Sequence, residues 1–492
     1  MAAMTARDEP EPFGYRWRSS TPFIISCIAI ALFTESFLYG FIVPILPEIL
    51  QGRNGVDPSD IQRVTYQILT LYGGVSVGSA VFIGELADRA GSRRVPLVIA
   101  LGIALVGTLT LAASTKLWGV YLGRAIQGIG GTAAWIVGLA TLRASIDGRN
   151  IGKAFGLVHS FVSVGALSGP AAAGLLLEVT GYWITWASAL SVIVLDIAMR
   201  LLMLEQRSQT TTANSNTPAT GSRRPAATSS TGLNEDSALI PDATMPSYDS
   251  VQGDPNSKKA EISTSSFYKI LFSKSRVLAA ISCSVVYSSM LASYATTIPT
   301  HVKFAFGWGS LPTGLLFLGL QGPTIIFSPI CGWLRDKIGT KLPATIGFMS
   351  LAPLLWLLGA ADQKQFPWAK DEDSAKATYI TAVIGIGCVT NLMSSIGIIE
   401  LTSAVDELEA KQPGVFGANG GYSRTYSLSN LSFATGLLLG PLLSGALTES
   451  IGYYYMNTAL ACICVFMSVV AFSFLGGKSP LQRDRGEENI DE

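Results

Sequence analysis

The chain has 492 residues, of which 49% are hydrophobic and only 14% are charged, and its mean hydropathy is +0.41. A soluble protein of this size rarely carries so little charge, because its surface must be hydrated. Basic and acidic residues balance at 34 each, so there is no excess of positive charge that would indicate a nucleic-acid partner.

Twelve apolar stretches follow one another along the chain, each near the roughly 20 residues that a helix needs to cross a bilayer. They lie near residues 22–46, 64–84, 95–113, 118–141, 153–177, 183–204, 277–299, 311–333, 342–361, 377–403, 426–448 and 453–475. Apolar and polar residues do not alternate within them, so helices are favoured over a β-barrel. The pattern predicts an all-α integral membrane protein with twelve transmembrane helices in two six-helix, pseudo-symmetric bundles.

The distribution of basic residues predicts the orientation of these spans. With the N-terminus in the cytosol, and without counting the central linker, 17 Lys and Arg residues lie on the cytosolic side and 7 on the other side. The positive-inside rule therefore predicts that both termini are cytoplasmic. The predicted division is a tail, a six-helix bundle, a disordered cytoplasmic linker, a second six-helix bundle and a second tail, at 1–21, 22–205, 206–270, 271–476 and 477–492.

The linker and the cysteines carry less functional information. Residues 206–265 are rich in Ser, Thr, Asn and Pro, which predicts disorder; the segment is either a phosphorylatable regulatory tether or a plain connector. No cleavable signal peptide is apparent. All six cysteines lie in or beside apolar spans, so the sequence predicts neither a disulfide framework nor a zinc site.

Ionisable residues within the spans are the first candidates for function, because a charge at membrane depth is costly unless it is paired or hydrated. Glu35 lies about halfway along the first span. It is predicted to carry a proton or contact a cationic substrate, and the alternative is a structural hydrogen bond. Arg124 shares a helical face with Gln127 and Trp135. It is predicted either to lower the pKa of such a carboxyl group or to hold spans one and four together as a fixed counter-ion.

Other polar and aromatic positions have weaker predictions. Glu400 in the tenth span belongs either to an inner gate or to a proton site. Asp196 and Arg200 are expected to form an intrahelical ion pair, and His159 is expected to be structural. Tyr39, Phe41, Trp135 and Phe317 are expected either to line a cavity between the bundles or to face lipid or pack in the core.

Two motifs occur once in each half of the chain. The first is a charged loop whose copies start 248 residues apart and comprise Gly84, Asp88, Arg89, Gly91, Arg93 and Arg94, then Gly332, Asp336, Lys337, Gly339 and Lys341. The second, in spans five and eleven, comprises Gly165, Gly169, Pro170 and Gly174, then Gly436, Gly440, Pro441 and Gly445. The loops are expected to hold the inner side closed, and the glycines to permit close helix crossings.

Together these residues resemble the major facilitator superfamily. The loop at 84–94 resembles its G-x-L-a-D-R-x-G-R-K/R signature, and the run 124–131 resembles its R-x-x-Q-G signature. The Gly-Pro motif is typical of its antiporters, and residues 35–47 resemble the twelve-span drug:proton antiporters, near vesicular amine transporters and fungal efflux pumps. Glu35 matches an acidic position of the amine carriers, whereas Ser394 and Asn430 stand at two others, which disfavours monoamine transport.

The resemblance implies a proton-coupled antiporter that exports an amphipathic small molecule from the cytosol by alternating access. The alternative is a facilitator or importer of an organic acid or other small nutrient on the same fold. An enzyme is disfavoured, since the spans contain no aspartate cluster and no nucleophile–base pair. We expect that the protein uses no cofactor other than a coupling proton and that it is a monomer. We expect it in the plasma membrane, with a vacuolar or vesicular membrane as alternatives.

Overall fold

The computed structural model describes residues 14–89, 94–145, 151–203, 264–411 and 422–476, and nearly all of these residues are helical. The helices of the first part of the chain are α1 Tyr15–Arg18, α2 Thr21–Gly52, α3 Ile61–Arg89, α4 Arg94–Ala113, α5 Leu117–Ala144, α6 Ile151–Thr180 and α7 Tyr182–Leu202. The second part contains α8 Thr264–Phe272, α9 Ser275–Phe306, α10 Ser310–Gln321, α11 Pro323–Ile338, α12 Lys341–Ala360, α13 Glu372–Thr390, α14 Ile396–Lys411 and α15 Tyr422–Phe474.

Each predicted span contains one or two helices, so the helices and spans do not correspond one to one. The first six spans are α2 to α7, and spans seven and nine are α9 and α12. Span eight is divided into α10 and α11 at Gly322, next to Pro323, whose missing N–H interrupts the hydrogen-bond ladder. Span ten is divided by a turn at residues 391–395, and spans eleven and twelve form α15, which breaks at Gly452 with φ 84°. Within the described ranges, nine segments are long and apolar enough to cross a membrane.

A short helix lies at the end of the range predicted as a linker. In α8, Phe267 and Leu271 are fully buried against apolar side chains of α9 and α14, among them Val277 and Leu401. Residues 264–270 are therefore helical and anchored on the last six spans. The rest of the predicted linker, up to residue 263, lies outside the described residues.

The first two glycines of each Gly-Pro motif permit close crossings within one set of spans. A β-carbon at Gly165 or Gly169 would overlap the backbone of α2. In the second copy, a β-carbon at Gly436 or Gly440 would overlap the backbone of α9 in the same way. Lipid provides no hydrophobic force between helices, so this close approach is a main source of their attraction.

The last glycine of each motif has a different neighbour. A β-carbon at Gly174 of α6 would overlap the Ser310 carbonyl of α10, and one at Gly445 of α15 would overlap the Tyr66 ring of α3. Both contacts join the first six spans to the last six. The same sequence motif therefore permits helix packing within each set of six spans and contact between the two sets of spans.

Substitution of these glycines tests the packing of α6 on α2. Gly169→Ala should lower the free energy of unfolding by about 1–3 kcal/mol and lower the Tm, because the new methyl group overlaps the Phe37 carbonyl. Gly102→Ala is the matched control in α4, where a β-carbon would meet no atom within 4 Å and alanine favours the helix. Thermal unfolding in detergent measures both variants, and equal changes in Tm would contradict the packing described.

Candidate functional site

Glu35 is buried between α2, α3 and α5, with only 4% of its surface exposed. Its Oε1 atom accepts a hydrogen bond from the Tyr72 hydroxyl of α3. On the α5 side, Gly131 leaves the space that the carboxyl group occupies, because a β-carbon at this position would overlap it. The carboxyl group thus sits in a slot formed by one tyrosine and one glycine.

Arg124 lies beside this slot and is completely buried. Its guanidinium donates a hydrogen bond to the Gln127 side chain one turn further along α5, and a longer one of 3.5 Å to the Tyr39 carbonyl. The Gln127 amide in turn donates to the Thr108 hydroxyl of α4 at 3.1 Å. This chain of hydrogen bonds fixes the position of the guanidinium.

Tyr72 separates the acid from the guanidinium. Among the ion pairs of the described residues, none joins Glu35 to Arg124. Instead, the Arg124 Cζ atom lies 4.3 Å from the centroid of the Tyr72 ring and 5.4 Å from that of Tyr39. These are cation–π distances, and the two rings lie 5.2 Å apart. The expected acid–guanidinium partnership is therefore bridged by an aromatic side chain.

Tyr72 was not among the predicted site residues. The signal that could have indicated it is a phenol in the middle of an apolar span, because a buried tyrosine hydroxyl usually finds a hydrogen-bond partner. The sequence alone does not give the rotation of α3 that directs this hydroxyl at Glu35.

The R-x-x-Q-G run of the fourth span has a separate contact for each of three glycines. A β-carbon at Gly128 would lie 3.3 Å from the Tyr72 carbonyl oxygen, and one at Gly130 would lie 2.6 Å from the Ala104 nitrogen of α4. Gly131 accommodates Glu35. The run thus brings α3, α4 and the carboxyl group close to α5.

Several predicted residues lie away from this site. Trp135 is half-buried against the apolar cluster that surrounds Ile28 near the start of α2. Phe41 and Phe317 follow the core-packing alternative rather than the cavity alternative, because each is buried in an apolar core, at 1% and 4% exposure. The large apolar surface of phenylalanine favours burial in these cores. His159 on α6 lies within electrostatic range of Arg335 of α11.

The predicted ion pair of α7 is confirmed. The Arg200 Nε atom lies 3.6 Å from the Asp196 Oδ1 atom, and both side chains are fully buried. Arg200 also donates a hydrogen bond to the Cys27 carbonyl of α2. A buried charge without a partner is costly, and here each charge of α7 has the other as its partner. The hydrogen bond from Arg200 then links α7 to the start of α2.

Glu400 lies in the other half of the chain, near the second charged motif. Its carboxylate pairs with Arg276 of α9 at 2.5 Å and accepts a hydrogen bond from the Thr340 hydroxyl, between Gly339 and Lys341. This placement favours the inner-gate alternative over the proton site.

Most described residues of the two charged motifs belong to helices, whereas the sequence predicted loops. Gly84, Asp88 and Arg89 end α3, Arg94 begins α4, and Gly91 and Arg93 lie outside the described residues. In the second copy, Gly332, Asp336 and Lys337 belong to α11 and Lys341 begins α12. Gly339 supplies the turn between these helices with φ 80°, a conformation that other residues rarely adopt.

The family of the chain follows from comparison with known proteins. The model of the Major Facilitator Superfamily matches residues 28–423. The chain belongs to this superfamily and is a multi-pass membrane transporter of small molecules rather than an enzyme, as predicted.

Individual relatives agree with this assignment. The chain is 29% identical to the MFS-type transporter ppzB of Metarhizium rileyi over 485 residues, which cover 95% of this chain and 98% of the relative. It is 25% identical to the class B tetracycline resistance protein of Escherichia coli over 63% of this chain and 66% of that protein. A crystal structure of a D-xylose–proton symporter shares the fold at 13% identity with a TM-score of 0.63, covering 93% of this chain and 98% of the other.

Replacement of Gly131 tests the geometry of the slot. Gly131→Ala should displace the Glu35 carboxyl from Tyr72 while the protein remains folded, because a flexible side chain can move away from the new methyl group. Infrared spectroscopy should then show a shift of the carboxyl stretching band that disappears in Glu35→Gln. Gly138→Ala is the matched control on α5, since its β-carbon would lie 3.5 Å from Leu32. An unchanged band in Gly131→Ala would contradict the slot.

Proposed function

We propose that the protein is a proton-coupled antiporter that exports an amphipathic small molecule from the cytosol by alternating access. The observation that carries the proposal is the Glu35 carboxyl group, which is buried at membrane depth without a direct ion partner among the described residues. A neutral carboxyl group fits this buried slot, whereas burial of a carboxylate without a paired cation would be costly. Glu35 is therefore suited to exchange a proton when the slot opens.

Arg124 supplies the second element of the proposed mechanism. Its guanidinium stays charged and is held within cation–π distance of Tyr72, so it is available to stabilise the carboxylate form of Glu35 after a small displacement. Proton loss and a change in geometry are then linked. This coupling lets the proton gradient drive the export of a second molecule.

The direction of transport is supported by one of the relatives. One relative is named as a tetracycline resistance protein, and export of a drug is a direct way for a transporter to confer resistance. We propose the same class of activity for this chain. We also propose cytoplasmic termini, since basic residues are concentrated on that side, together with a plasma-membrane location, a monomer and no cofactor besides the proton.

A vesicle assay with the purified protein tests this function. Tetracycline and ethidium serve as probes, and a pH gradient is imposed across proteoliposomes. Wild-type protein should move at least one probe against its gradient. Glu35→Gln should reduce this transport to the level of empty vesicles with normal insertion, because the amide cannot release a proton. Glu372→Gln should transport normally, because Glu372 is exposed at the start of α13.

Two results would contradict the proposal. Normal pH-driven transport by Glu35→Gln would remove the proposed proton carrier. Counterflow by the wild type without any response to a pH gradient would instead indicate the facilitator alternative.

A further inference from the structure

One face of α3 contacts the last six spans of the chain. Gln62, Tyr66, Leu69 and Gly73 are spaced by four, three and four residues, which places them in one stripe of an α-helix. The stripe begins at the first turn of α3. We call the end of the bundle where α3 and α10 begin the outer end.

Polar contacts hold the beginning of the stripe. Gln62 accepts a hydrogen bond from the Thr300 hydroxyl of α9, and its amide donates to the Thr296 carbonyl at 3.5 Å. One turn further, the Tyr66 ring packs against Gly445 of α15, and its hydroxyl lies 3.4 Å from the Glu449 carboxylate. Each contact crosses from the first six spans to the last six.

Close packing continues the stripe towards the middle of the helix. Leu69 is buried in the apolar core formed mainly by α9 to α15. A β-carbon at Gly73 would lie 2.6 Å from the Leu438 nitrogen, so the backbones of α3 and α15 nearly touch there. The outer half of α3 is therefore docked on the last six spans over about three turns.

Contacts from other helices close the outer end as well. Lys303 of α9 donates to the Pro47 carbonyl of α2 at 3.1 Å. The Leu311 backbone nitrogen of α10 donates to the Glu178 carboxylate of α6, also at 3.1 Å. The outer end must lose such contacts before a molecule can leave by this route.

Tyr72 lies next to Gly73 on the same helix. It thus connects the docked stripe to the site of Glu35 and Arg124, because its hydroxyl binds the carboxyl group and its ring lies beside the guanidinium. A rigid helix that carries both a gate contact and a site contact transmits a displacement from one to the other. In α3 these two contacts are adjacent.

We propose that α3 couples the proton on Glu35 to the outer gate, with Tyr72 as the positioning residue. The inference deepens the proposed function and rests on it. An exporter driven by incoming protons must close its outer end after it has bound the proton. With a neutral Glu35, Tyr72 holds α3 in its docked position. When Glu35 ionises, the carboxylate accepts a stronger hydrogen bond from Tyr72, so the release of α3 requires that attraction to the Arg124 guanidinium outweighs this bond and draws the carboxylate away.

The charged and titratable groups nearest Glu35 lie on α2, α3 and α5. Tyr72 faces it from α3 and Arg124 from α5, while Tyr39 follows it by one turn on α2. On α7, Asp196 and Arg200 pair with each other beside the first half of α2. On α6, Gly165 and Gly169 contact α2 at Phe33 and Phe37.

Distance measurements between two spin labels at the outer end test the proposal. Lys116→Cys and Lys370→Cys place one label on an exposed loop of each half, in the full-length protein in lipid nanodiscs with the exposed Cys462 replaced by serine. In the wild-type background, the distance should be short at acidic pH and should shift to longer values at alkaline pH. Absence of this shift would overturn the proposal.

Two tyrosine variants isolate the role of the hydroxyl group. Tyr72→Phe keeps the ring beside Arg124 but removes the bond to Glu35, so the pH-dependent shift should be lost. Tyr121→Phe should retain the shift, although it also removes a tyrosine hydrogen bond to α3, at 2.6 Å to Gln67. If Tyr72→Phe retains the shift while Glu35→Gln loses both the shift and proton-driven transport, the α3 link is wrong and the proposed function stands. If Glu35→Gln retains both, the proposed function itself is wrong.

A variant at the other end of the stripe provides a second test. Gln62→Ala combined with Thr300→Val removes the outer polar contact without touching the Glu35 slot. The long distance should then dominate at every pH. A double variant that remains closed at acidic pH, as the wild type does, would overturn the assignment of α3 as the gate element.

Discussion

The site in the first six spans depends on one constraint, the burial of a carboxyl group that has no ion pair among the described residues. Glu35 needs a hydrogen-bond donor and a space, and the structure supplies both, from Tyr72 and Gly131. The guanidinium of Arg124 is near, but it is held by Gln127 and the aromatic rings. The energetic difference between the neutral and the ionised acid is therefore tied to geometry, which is what coupling to a gradient requires.

The duplicated Gly-Pro motif shows how one pattern serves two tasks. Its early glycines fix helices within each set of spans, so they act on stability. Its last glycine lies between the two sets, as Gly174 does against α10 and Gly445 against α3. A substitution at an early glycine and one at the last glycine should therefore differ in their effects, even though the motif positions look equivalent. The Gly445 contact belongs to the same outer surface as the docked stripe of α3.

The fold was largely predictable from the sequence, because the bilayer imposes length and apolarity on every span. The candidate positions Glu35 and Arg124 were predictable for the same reason, since polar residues stand out in apolar runs. Tyr72 was not, because its role depends on the rotation of α3 about its axis. The partner of Glu400 was not either, since Arg276 lies 124 residues earlier in the chain. The turn at residues 391–395 was not predicted either, because its polar residues Asn391, Ser394 and Ser395 are types that also occur within transmembrane helices, where they hydrogen-bond to neighbouring helices.

In the proposed mechanism, the binding of a proton to Glu35 and the closure of the outer end are thermodynamically linked. Linkage is reciprocal, so closure must also affect the binding of the proton. A disulfide between Gln62→Cys and Thr300→Cys would lock the outer end closed, and the carboxyl stretching band of Glu35 can be titrated with and without the lock. Glu35 should stay neutral to a higher pH in the locked protein than in the reduced one. The same titration midpoint in both would contradict this linkage.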